Sequence, residues 1–137
     1  MGTSIRPEVS KKNKYYISKH RYYELKHYCM QYQDWRRSLE TINQYPKQAF
    51  DKVIFNTDTT DPVFKLVEAR SYYEDRLNSL DSIASTIDPI IGPCVLKGVT
   101  TGLSYEVLRT RIDIPCCKDV YYDVYRKFFW VLDKIRK

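Results

Sequence analysis

Three groups of residues have types and spacings from which chemistry could be built. The first is Lys118, Tyr122 and Arg126 in the stretch GLSYEVLRTRIDIPCCKDVYYDVYRKFFWVL at 102–132. On a helix, four-residue spacing sets a cation, a phenol and a second cation along one line. Such a line can donate hydrogen bonds to base edges in a DNA groove. The second group is His20 and His27 with Cys29, Cys94, Cys116 and Cys117. Both histidines sit among charged neighbours and read as exposed or interface residues, and His27 and Cys29, two apart, point to different helix faces. The cysteines lack the C-x-x-C spacing of a zinc site, and a bridge between adjacent Cys116 and Cys117 would be strained. Reduced thiols packed as small apolar residues are expected. The third group, Asp58 and Asp61, lies in a turn-rich segment and suits helix capping. A metal-dependent hydrolase needs a convergent carboxylate set, which these two do not make. There is no glycine-rich phosphate loop, G-x-S-x-G or H-E-x-x-H. The expectation is therefore no enzyme, no metal and no cofactor.

Charge narrows the remaining choices. The 137 residues carry a net charge of +6, distributed unevenly. Residues 1–28 hold seven Lys/Arg against two acids, 29–94 seven against ten, and 95–137 nine against five. Basic ends around an acidic middle suit a protein that presents one face or arm to phosphate. No apolar run approaches the length of a membrane span, and the first residues have no signal-peptide core. Together with the unpaired thiols, this leads to an expected location in the cytoplasm, with no membrane partner.

The elements that must position these residues read as helices throughout. Residues 1–14 form a polar basic tail. From Ser18, Tyr22, Leu25, Cys29, Tyr32, Leu39 and Ile42 recur at helical steps, as one helix or two joined near 31–33. Residues 43–61 read as a connection with a short ordered piece at 49–55, and mark the boundary between 1–60 and 61–137. Asp61-Pro62 starts a long central helix, with Leu66, Tyr73, Leu77, Leu80, Ala84 and Ile87 as its stripe, ending at Asp88-Pro89. A short helix over 93–100 stops at Gly102. Ser104 caps a helix over 105–111 with Leu103, Val107 and Leu108 inward. Pro115 opens the last helix, with Tyr121, Val124, Phe128, Val131 or Leu132, and Ile135 inward. The expected fold is all-α: a long central helix leading into a C-terminal three-helix bundle that ends in a helix-turn-helix. On that arrangement Lys118, Tyr122 and Arg126 face bases, while Arg109, Arg111 and Lys127 face phosphates.

GLSYEVLRTRIDIP followed by YYDVYRKFFWVL resembles the sigma-region-4-like helix-turn-helix of the RinA and ArpU-like late-gene activators of phages of Gram-positive hosts. YELKHYCMQYQDWRRSLETI is similar to their N-terminal helix, and DPVFKLVEARSYYEDRLNSLDSIASTID stands where their linking helix stands. The chain departs from that pattern in a longer turn, 114–117, and in Cys117, Asp119 and Val120 where Ser or Thr is usual. The resemblance implies a phage or prophage transcriptional regulator in the bacterial host cytoplasm. It would bind double-stranded DNA and activate late or packaging genes with the host RNA polymerase; a palindromic site would require a homodimer, which the N-terminal tyrosines could pack. The alternative reading is a small phage protein that docks on a host protein, a polymerase subunit or a defence nuclease. Its docking surface would be Tyr15, Tyr16, Tyr22, Tyr23 and Tyr28, because tyrosines dominate interface hot spots.

Overall fold

The computed structural model describes residues 13–45 and 62–136, which contain six helices and no strand. They are α1 (Lys19–Cys29), α2 (Tyr32–Asn43), α3 (Pro62–Ile87), α4 (Gly92–Thr101), α5 (Tyr105–Arg109) and α6 (Lys118–Ile135). The all-α expectation holds. The expected piece at 49–55, and Asp58 and Asp61, lie outside the described residues.

Local signals set most of the helix ends. The N-terminal pattern resolves into two helices: Met30 caps α1, and α2 restarts at Tyr32. α3 opens on Pro62, whose missing N–H costs nothing in a first turn. After α3, the Asp88 carboxylate accepts from the backbone N–H groups of Ile90 and Ile91 at 2.9 and 2.8 Å. Those two bonds, that to Ile91 first, hold the Asp88 carboxyl below the ordinary carboxylate range. Gly102 ends α4 at φ +76°, and its N–H reaches the Gly98 carbonyl at 2.9 Å. The Ser104 hydroxyl then accepts from the Val107 N–H and starts α5.

Two compact units emerge, and they divide the chain differently from 1–60 and 61–137. One joins the chain up to Gln31 with everything from Leu80 onward; the other is Tyr32–Ser79. In the first unit, α1 and α4 pack on each other and both pack on α6. The expected C-terminal bundle therefore takes its third large helix from the N-terminal segment. Tyr22, Leu25 and Cys29 from α1, Val95 and Val99 from α4, and Tyr121, Phe128, Phe129 and Leu132 from α6 are all buried. Each of the aliphatic and phenylalanine side chains among them contributes roughly 1.5–3 kcal/mol to folding. An ion pair from Arg21 to Asp133 at 2.7 Å, with a further bond from Arg21 to the Arg136 carbonyl, ties α1 to the end of α6. In the second unit, Trp35 and Ile42 of α2 and Leu77 of α3 are buried, and exposed faces carry the pairs Arg37–Asp34 and Arg70–Glu74.

The last two helices differ from expectation in register. α5 ends at Arg109, because Thr110 turns its hydroxyl onto the Val107 carbonyl at 2.6 Å. Its inward residues are Tyr105 and Leu108, one helical turn apart, and Val107 faces solvent. Pro115 lies in the turn: α6 begins at Lys118, after an extended Cys117. The Tyr105 hydroxyl donates to the Cys116 carbonyl at 2.7 Å, which holds the turn against α5. Along α6 the buried face is Tyr121, Tyr122, Tyr125, Phe128, Phe129 and Leu132, with Val124 half-buried and Ile135 exposed. The helix is rotated toward Tyr125 because its ring, with those of Tyr122 and Phe129, completes an aromatic cluster against Tyr22 of α1.

Candidate nucleic-acid interface

The turn over 110–117 links a capped short helix to a long one, and this unit holds all six residues expected to meet DNA. Arg109, at the end of α5, and Arg111, in the turn, are exposed. Lys127 is half-buried on α6.

The expected base-reading line does not survive the packing. Tyr122 is 4% exposed, and its hydroxyl accepts from the Tyr105 backbone N–H at 3.2 Å. That bond satisfies a first-turn donor of α5, so Tyr122 joins the two helices and has no access to a groove. The Arg126 side chain keeps 16% of its surface and pairs with Asp123 at 3.3 Å. Lys118 reaches across to Glu106 of α5 at 2.6 Å. The ammonium holds the Glu106 carboxyl below its ordinary range, and Glu106 in turn raises Lys118. Lys118 is thus a cross-strut between α5 and α6, with one of its three ammonium donors held by Glu106. Trp130 is half-buried, and its ring makes a T-shaped contact with Tyr15.

What α6 shows to solvent in its first two turns is Asp119, Val120 and Asp123. With Arg126 these line a shallow depression of about 250 Å³. The outer surface of the unit is therefore mixed in charge: Arg109 and Arg111 beside Glu106, Asp119 and Asp123. The Cys117 side chain makes no capping hydrogen bond to the first turn of α6, so it satisfies none of that turn's unpaired N–H groups.

The Glu106–Lys118 pair and the buried role of Tyr122 escaped the sequence reading. Neither has a local signal, since the partners are twelve and seventeen residues apart. The tyrosine surface of the alternative reading also changes. Tyr22 is 2% exposed and shares a hydrogen bond with the Tyr125 hydroxyl at 2.9 Å, while Tyr15, Tyr16, Tyr23 and Tyr28 are half-buried.

The remaining candidates carry no assembled chemistry. His20 and His27 are exposed on α1. All four cysteines are free, with Cys29 and Cys94 buried and Cys117 exposed. Burial pushes the Cys29 thiol far above its ordinary range. Among the described residues no three His, Cys, Asp or Glu side chains converge as metal ligands, and no helix is long and apolar enough to cross a membrane. Comparison of the chain with protein-family models, with curated proteins and with solved structures returned no match.

Proposed function

We propose that this chain is a DNA-binding regulator of transcription encoded by a phage or prophage, acting through the α5–turn–α6 unit as a helix-turn-helix. Activation of late or packaging genes together with the host RNA polymerase, in the bacterial cytoplasm, is the role the resemblance implies. The observation that carries the reading is the exposure of Arg109 and Arg111 in a unit whose long helix, α6, begins without a side-chain cap. Guanidinium groups and the unpaired N–H groups of a helix's first turn can grip phosphates. Lys127 adds a third cation further along α6. Base readout falls to the first turns of α6: Lys118 after release from Glu106, with Asp119 and Asp123 as acceptors for cytosine amino groups. Tyr122 and Arg126 have positioning roles in this account. A homodimer on a palindromic site would supply the second half-site contact that so small a unit needs.

The test is binding of the purified chain to fragments of the genome that encodes it, measured by fluorescence anisotropy over a salt series. Log affinity should fall with log salt at a slope of about −3 per protomer for three phosphate contacts. Arg109→Ala with Arg111→Ala should flatten that slope by about 2, one per lost phosphate contact. Binding that is absent or independent of salt sinks the reading.

A second reading is favoured by one observation, the exposure of Asp119, Val120 and Asp123 along the first turns of α6. An acidic surface with an apolar centre suits a basic segment of a host protein. Asp119→Lys with Asp123→Lys separates the two: it should tighten non-specific DNA binding on the first reading and abolish capture of the partner on the second.

A further inference from the structure

We infer that the first compact unit contains a binding site for a small oxyanion, a carboxylate or phosphate group, in the cleft where α1, α4 and α6 meet. The cleft has a volume of about 70 Å³. One water needs ~10–15 Å³ by the same kind of measure, so the space takes a group of several heavy atoms.

Its lining is rich in donors. Lys26 of α1 stands at its side, half-buried, and no carboxylate among the described residues pairs with it. The Tyr122 hydroxyl accepts from the Tyr105 N–H at 3.2 Å, so its own proton remains to be given. The Ser104 hydroxyl is in the same position, having accepted from the Val107 N–H at 3.4 Å. The hydroxyls of Tyr22 and Tyr125, 2.9 Å apart, complete the polar wall. No Asp or Glu lines the cleft. One positive charge and several hydroxyl donors, with no anion among the lining residues, select an acceptor-rich, negatively charged group over a neutral or cationic one. Gly98 and Gly102 line the cleft through their backbone.

The location gives such a site a consequence. Tyr122 and Ser104 are the residues that accept from the first-turn N–H groups of α5. An anion drawn between them and Lys26 would tie the start of the helix-turn-helix to α1. Occupancy would then stabilise the orientation of α5, in line with binding to the folded state alone. The site itself does not depend on the duplex reading.

The test uses the full chain with inorganic phosphate and, separately, acetate, against chloride at matched ionic strength. Thermal unfolding should shift upward and saturate with at least one of the two oxyanions, and the amide signals of Gly98, Gly102 and Ser104 should move in NMR titration. Lys26→Met keeps the aliphatic stem and should weaken the response at least tenfold without altering unfolding in chloride. Tyr122→Phe risks loosening α5, so Lys26→Met decides. Equal shifts in all three salts, an unchanged response in Lys26→Met, or signal changes confined to Arg109 and Arg111 would overturn the site. A phosphate response without an acetate response assigns the site to phosphate esters, and the reverse to carboxylates.

Discussion

Replacing Gly98 with alanine would put a methyl group where the Tyr121 hydroxyl lies. The ideal Cβ falls 2.0 Å from the Tyr121 oxygen, 3.3 Å from the ring carbon that bears it and 3.6 Å from a Leu108 methyl. Tyr121 is fully buried, and its ring is boxed by Tyr105, Tyr122 and Tyr125 at centroid distances of 5.3, 5.0 and 6.2 Å. It cannot swing aside without moving that cluster. Alanine gains about 1 kcal/mol of helix propensity over glycine, whereas overpacking a filled core costs about 1–3 kcal/mol. Gly98→Ala should therefore destabilise by up to about 2 kcal/mol. Tyr121→Phe should do the reverse. Its hydroxyl is buried with no hydrogen-bond partner among the described residues, a state that costs about 1–3 kcal/mol, so losing the oxygen should be neutral or stabilising. With both changes the clashing atom is gone and the helix gain remains, so the double variant should be at least as stable as the parent. Urea denaturation of all four proteins gives the coupling, expected at about 1–3 kcal/mol, with unchanged m-values. Additive effects of the two substitutions would refute the packing of α4 on α6 described above.

Other outcomes follow from the same contacts. Tyr122→Phe leaves the Tyr105 N–H buried without its acceptor and should cost about 1–3 kcal/mol in urea; DNA affinity of the folded protein should stay unchanged, because the hydroxyl faces inward. Asp88 has its folded pKa depressed, so its contribution is present above the ordinary carboxylate range and is lost as pH falls through the folded value. Denaturation midpoints at neutral and acid pH should therefore differ less in Asp88→Asn, whose amide oxygen still accepts from Ile90 and Ile91 but does not titrate. An Ellman titration of the native protein should show one fast thiol, Cys117, with Cys29 reacting only on unfolding.

Features with a local cause could be read from the chain. Pro62, Asp88, Gly102 and Ser104 act through their own backbone or through side chains reaching two or three residues, and each stands at the helix end where the sequence places it. The facing of α6 could not be read. Tyr121 beside Tyr122 and Phe128 beside Phe129 offer two phases for one apolar stripe, and tyrosine is at home on either side of a helix. The choice was made by partners far away in sequence, the Tyr105 N–H and the Tyr22 ring. The same distance hid the place of α1 in the core of the C-terminal helices. It also hid the Glu106–Lys118 bridge, which turned an expected base contact into a strut. The exposure of Arg109 and Arg111 was legible because charged side chains at a helix end and in a turn stay in water, whereas Ile114 of the same turn is buried.

The central claim, that the corner formed by α5 and α6 grips duplex DNA, is tested most directly by the salt dependence of binding in the parent and in Arg109→Ala with Arg111→Ala. The account predicts a steep negative dependence in the parent that flattens by about two contacts in the variant while its unfolding curve is unchanged. Identical salt slopes for the two folded proteins, or no duplex binding by either, would contradict it.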